Sequence, residues 1–215
     1  MARLPALVCL LALTAAAGCS SLYYGALESL GVQKRHILRD RIEDGRAAQQ
    51  DAQEQFQDAF ERFATATSFE GGDLEDTYRA LASELADSEA RAADVRERIA
   101  SIEVVAGDLF EEWESEIAQI SRADLRRKSS AQLRQTEARY AKLLAAMKKA
   151  ERKMDPVLVA FRDQVLFLKH NLNARAIASL EAQASSIQSD VDALLRDLSA
   201  SIREADAFLA TLEQG

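Results

Sequence analysis

The chain has 215 residues, 48% hydrophobic and 29% charged, with a formal net charge of −8 and only 8 Gly and 2 Pro. That balance excludes a disordered or collagen-like polymer and fits a helix-rich folded product. No compositional shift after residue 19 marks a boundary, so the remainder reads as one domain.

The first residues form a separate unit. Arg3 supplies a minimal positive start, Leu4 to Leu13 is an unbroken apolar run, and Thr14-Ala15-Ala16-Ala17-Gly18 leads into Cys19. This order is that of a secretory signal; the run is too short to span a bilayer, which takes about 20 apolar residues. Ala16-Ala17-Gly18-Cys19 resembles the lipobox of bacterial lipoproteins, with Ala16 where Leu is usual. The resemblance implies removal of residues 1–18 as a signal peptide, a covalent lipid on Cys19 and a mature chain of residues 19–215. The competing reading is ordinary cleavage near Ala17 with Cys19 unmodified. Cys9 leaves with the signal, so the mature chain keeps a single cysteine and no internal disulfide can form. Each buried acyl CH₂ contributes about 0.8 kcal/mol, so two or three chains anchor stably where one does not. Ser20 stands where lipoproteins retained in the inner membrane typically carry Asp. The resemblance therefore favours a periplasm-facing protein of the outer membrane.

From there the hydrophobic period governs. A first predicted helix, 22–67, carries a seam of Leu38, Ile42, Gly45, Gln49, Ala52, Phe56, Ala59, Phe63 and Ala66, largely small or polar. Gly71-Gly72-Asp73 ends it and caps the next. The second, 74–120, steps by four and three through Tyr78, Leu81, Leu85, Ser88, Ala92, Val95, Ile99, Ile102, Ala106, Leu109, Trp113, Ile117 and Ile120, a heptad pattern. Ser121 with Asp124 reads as a weaker cap. The third, 122–154, runs through Leu133, Thr136, Tyr140, Leu143, Met147, Ala150 and Met154. Asp155-Pro156 places a cap before a proline at the first helical position. The fourth, 156–212, runs from Ile177 to Leu198 and then takes an extra four-residue step to Ile202, which would locally unwind a left-handed supercoil. At 1.5 Å per residue the second and fourth span about 70 and 85 Å. No stretch alternates with period two. The expected fold is all-α: an elongated antiparallel bundle or coiled coil of about four long helices. Whether the third and fourth reverse or continue at Pro156 stays open.

RIEDGRAAQQDAQEQF (41–56), FEGGDLED (69–76), MKKAERKMDPVL (147–158) and DQVLFLKHNLNARAIASL (163–180) resemble the bacterial lipoproteins grouped as "domain of unknown function 2959". The resemblance covers nearly the whole mature chain. It implies a periplasm-facing helical lipoprotein and supplies no activity. A phosphate-cradling loop needs a Gly directly before a Lys, and the chain has none.

Charge is unevenly distributed. Residues 34–41 sum to +3, 43–121 to −15, 122–153 to +8 and 154–215 to −4. The basic stretch 122–153 suits an anionic lipid or polyanion, or else neutralises acidic helices inside the bundle. Lys34, Arg35, Arg39 and Arg41 lie just past the expected anchor, where lipid head groups would be met. His170, Asn171 and Asn173 interrupt an apolar stretch. They form either a buried polar layer fixing helix register or a solvated face. A metal site there fails, because Phe167 and Gln33 stand three residues before the two histidines, where a bundle di-iron site needs Glu. Glu111, Glu112, Glu114 and Glu116 around Trp113 read as a solvated face.

No catalytic set, metal cluster or glycine loop is present. The sequence therefore predicts no enzyme, no catalytic or metal-binding residue, no small-molecule substrate, no nucleic-acid partner and no cofactor beyond the lipid on Cys19. It favours a structural or protein-interaction role, a scaffold or spacer in the cell envelope. Its partners would be the membrane through the anchor and a protein, or a second copy, through the helical seams. The alternative is a binding module for anionic lipid or polyanion through 34–41 and 122–153. With alternating helices, the 67–73 turn becomes a distal tip and the place for a partner.

Overall fold

A computed structural model of the chain describes residues 34–67 and 74–213. The signal segment, Cys19, the predicted helical residues 22–33 and the Gly71-Gly72-Asp73 stop lie outside the described residues. Within them the chain is four helices, α1 (Lys34–Thr67), α2 (Leu74–Gln119), α3 (Ala123–His170) and α4 (Ala174–Glu213), with no strand. Each packs on its neighbour in sequence, and α4 closes the ring on α1. Cross-helix pairs fix the directions. Asp51 of α1 meets Arg91 of α2, Glu103 of α2 meets Lys148 of α3, and Lys142 of α3 meets Glu204 of α4. Arg46 of α1 pairs with Asp206 of α4. Every adjacent pair is antiparallel, the up-down-up-down bundle expected from short connections.

The core follows the heptad seams. All nine seam residues of α1 are buried, including Gly45 and Gln49. A Cβ at Gly45 would stand 2.7 Å from Ile102 Cδ1, so the missing side chain lets α2 close against α1. On α2 the buried face runs through Leu81, Ser88, Ala92, Val95, Ile99, Ile102 and Ala106. Buried Leu, Ile and Val side chains of this kind each contribute about 1.5–3 kcal/mol, which drives assembly where helix propensity alone would not.

The predicted break at Asp155-Pro156 does not occur. α3 runs through Pro156 to His170. Pro156 is exposed, and the seam continues across it through Met154, Val157, Leu158, Phe161, Val165 and Leu168, all buried. Burial of that apolar face outweighs the one hydrogen bond a proline forfeits, about 3 kcal/mol in a helix interior. Pro156→Ala should restore it, raising unfolding stability by about 1–2 kcal/mol after allowing for the looser unfolded chain. Urea titration checks this, and a lowered midpoint would show that α3 needs a bend there.

The reversal falls instead at 171–173. Asn171 is the C-cap, its N–H donating to the Leu168 carbonyl at 3.1 Å and its side-chain amide to the Phe167 carbonyl at 2.9 Å. The Asn173 N–H then donates to the Asn171 carbonyl at 2.8 Å. Two asparagines thus satisfy carbonyls that the helix end leaves open. At the α2–α3 connection Arg122, not Ser121, occupies the N-cap, with no side-chain capping bond. Asp124 in the first turn accepts from the Arg122 guanidinium at 2.7 Å, which holds its carboxyl below the usual range.

The extra step on α4 is also absent. Burial proceeds Leu194, Leu198, Ser201, Ala205, Phe208, keeping the three-four alternation, while Ile202 is only partly covered. Apolar character pointed to Ile202, but the neighbouring helices take Ser201.

Candidate functional site

Antiparallel packing brings the start of α1, the α2–α3 connection and the end of α4 to one end of the bundle. Lys34 Nζ stands 2.8 Å from Glu112, which sets the start of α1 abreast of the last turns of α2. The next residue, Arg35, places its guanidinium 5.6 Å from the centre of the Trp113 ring, a cation–π contact. Trp113 is fixed in turn, its indole N–H donating to Ser129 Oγ on α3 at 3.0 Å. The α2–α3 hairpin runs on past the described start of α1.

A cleft of about 190 Å³ opens here, with residues from all four helices around it. Leu109, Trp113 and Leu212 provide apolar surface. Gln132, Gln135 and Arg139 line it from α3, at spacings that put them on one helix face. Thr136 and Thr211 also border it, but their hydroxyls donate to the Gln132 and Phe208 carbonyls of their own helices. Among the described residues no carboxylate lines the cleft.

Beneath it, Tyr140 makes edge-on ring contacts with Phe110 at 5.4 Å and Phe208 at 6.3 Å. Burial, with a smaller push from Glu103, raises its phenol to about 12. An unfolded tyrosine loses its proton near 10. Between these values the unfolded chain releases a proton that the folded one retains, so stability is full below 10 and falls as pH rises towards 12. Tyr140→Phe should flatten that alkaline decline, measured as urea midpoints at several alkaline pH values. An unchanged slope would count against the buried phenol.

The basic segments divide. Of the four cations near the start of α1, Lys34 pairs with Glu112, Arg39 with Asp40 and Glu43, and Arg41 with Asp44. Arg35 alone turns to the cleft. On α3, Lys142, Lys148 and Lys149 pair with Glu204, Glu103 and Asp197, so this stretch is neutralised within the bundle. Arg126, Arg127, Lys128, Arg134 and Arg139 are exposed and make no ion pair among the described residues. Glu111, Glu114 and Glu116 are exposed on the adjoining α2, so the hairpin is acidic along one helix and basic along the other.

The opposite end differs. Among the described residues six large apolar side chains are conspicuously exposed, and four of them, Val159, Leu166, Phe167 and Leu172, belong to the last turns of α3 and the 171–173 link. Val159 and Leu166 are seven apart, hence on one face, and both lie off the buried seam. His170 and Asn173 are exposed and Asn171 is the half-buried cap, so these three residues build a turn rather than a buried polar layer. Such a layer exists elsewhere. Gln49 and Ser201 are both fully buried, with the serine hydroxyl donating to Gln49 Oε1 at 2.7 Å.

Reading the sequence alone missed the cleft face of Gln132, Gln135 and Arg139 and the off-seam apolar face of α3. The second was findable: Val159 and Leu166 repeat at seven residues while the seam itself is already filled. Among the described residues no cluster of three or more His, Cys, Asp or Glu is placed to hold a metal ion, and no helix is long and apolar enough to cross a membrane. Comparison with curated proteins returned no match, and neither did comparison with solved structures. The family model described as "Protein of unknown function (DUF2959)" matches residues 23–212, and the chain belongs to that family.

Proposed function

We propose that the protein is a lipid-anchored helical scaffold of the bacterial cell envelope, held by Cys19 at one end and docking a protein at the other. The exposed apolar group Val159, Leu166, Phe167 and Leu172 carries this reading. It lies at the end remote from Lys34, and α1 alone, with 34 residues, sets the two ends about 50 Å apart. Exposed large apolar side chains gathered toward such a tip are a usual mark of a protein contact. The anchor is supported by the Ala16-Ala17-Gly18-Cys19 segment, and Ser20 favours the outer membrane, with the bundle in the periplasm.

The test places a photo-crosslinking residue at 166 or, as a control, at Val104, which is exposed midway along α2. A scaffold gives one discrete adduct from position 166 in intact cells, and Phe167→Glu abolishes it. Equal adducts from both positions, or none from 166, would overturn the docking role. Mass measurement of the N-terminal peptide tests the anchor separately: unmodified Cys19 would refute it.

A second reading, contact with anionic lipid or polyanion, is favoured by the unpaired cations of α3 at the end where α1 begins.

A further inference from the structure

We infer that the cleft between Arg35 and Arg139 is a binding site for the phosphate-bearing head group of an anionic phospholipid. The inference deepens the second reading above and is independent of the apolar tip.

Chemistry of the lining sets the sign of the ligand. Arg35 and Arg139 make no ion pair among the described residues, and the two side-chain amides beside them, Gln132 and Gln135, have no intramolecular partner there. With the threonine hydroxyl protons committed to backbone carbonyls, the free groups are dominated by N–H donors. A donor-rich cleft whose described lining holds no carboxylate attracts an anion, and guanidinium forks match the oxygens of a phosphate.

Pre-organisation is already present. Trp113 is pinned by Ser129, and Arg35 is held over its ring, so one cation waits in place and little side-chain entropy is lost on binding. Along α3, Gln132 to Arg139 forms a ladder of donors about 10 Å long. That is longer than a bare phosphate needs and suits a diester with a polar substituent.

Apolar surface sets the ligand's second half. Leu109, Leu212 and the Trp113 ring meet the same opening. An indole beside arginines is the pairing found where protein meets the head-group layer, with its apolar face and polar edge in different surroundings. Location agrees: 14 residues lie between Cys19 and Lys34, a tether of about 50 Å when fully extended. If Cys19 carries the lipid, the cleft stays within reach of the bilayer.

Trp113 is the only tryptophan of the chain, so its fluorescence reports on the cleft alone. The test titrates the full mature chain carrying Cys19→Ser, in low salt, with dihexanoyl phosphatidylglycerol below its micelle concentration. Parallel arms use dihexanoyl phosphatidylcholine and inorganic phosphate. Expected is a saturable Trp113 signal with phosphatidylglycerol, weakened about tenfold by Arg35→Gln and by Arg139→Gln, lost at high salt and unchanged by Arg152→Gln. Arg139→Lys should recover part of the affinity, which separates loss of charge from loss of fold. Equal binding of phosphatidylcholine would overturn the anionic site. Inorganic phosphate binding as tightly as phosphatidylglycerol would overturn the lipid as its source, and absence of any saturable signal would overturn the site. Because the lipid is monomeric and the chain unanchored, these outcomes stand apart from whether Cys19 is acylated or whole vesicles are bound.

Discussion

Replacing Phe56 by Ala should lower the unfolding free energy by about 3–5 kcal/mol. The side chain is fully buried midway along α1. Its seam neighbours are small: Gly45, Ala48, Ala52 and Ala59 are buried on the same helix. Phe56 and Phe63, which packs on Phe161 with ring centres 6.0 Å apart, therefore supply most of the bulk that the later turns of α1 give the core, where the other buried residues are Ala52, Ala59 and Ala66. Alanines cannot extend into the space left behind, and the flanking helices α2 and α4 hold it open, so the cavity cost adds to the lost transfer energy. A loss of that size is a large share of the stability of an ordinary domain. Urea denaturation followed by far-ultraviolet circular dichroism measures it. A cost under about 1 kcal/mol would mean that α1 shifts inward to refill the space.

The second large effect concerns the buried amide, and its sign depends on how many partners are removed. Gln49 accepts from Ser201 through Oε1, whereas its Nε2 is buried with no partner. Ser201→Ala alone strands the whole amide and should cost about 1–3 kcal/mol. Gln49→Leu with Ser201→Ala removes the polar pair and the orphaned donor together, and should stabilise the bundle by about 1–3 kcal/mol. The double-mutant cycle, run by denaturant titration, fails if the double variant is no more stable than Ser201→Ala. A single polar pair in an apolar seam also penalises slipped alignments, as polar core positions do in coiled coils. The double variant should therefore gain stability and broaden in amide nuclear magnetic resonance spectra as competing registers appear.

Legibility followed the kind of interaction involved. The α1 seam was visible residue by residue, Gln49 included, and regular spacing also found Ser88 on α2; of the α2 seam, Tyr78, Leu85, Leu109, Trp113 and Ile120 are only partly covered. On α4 the same method chose Ile202 over Ser201, since there hydrophobicity was allowed to override spacing. Asp155-Pro156 has the local pattern of a helix start, a cap before a proline, and the tertiary packing overrides it. The three-four spacing of Met154, Val157, Phe161, Val165 and Leu168 runs straight across the proline, and the helix continues to His170. His170, Asn171 and Asn173 carried the opposite signal. Two asparagines and two basic residues in a last turn describe a helix stop, and the chain reverses there.

Heptad spacing in the absence of period-two alternation admits only packed helices, so the fold class follows from a local property of the chain. The same holds for the family, whose match spans residues 23–212. The tertiary structure decided which charges remain free and which residues share a site. Arg35 and Arg139 stand more than a hundred positions apart, and only antiparallel packing sets them at one cleft. Lys142, Lys148 and Lys149 belong to the same basic run as Arg139, yet partners on α2 and α4 neutralise them. Electrostatic character depends on distance through space, whereas helix periodicity is written along the chain.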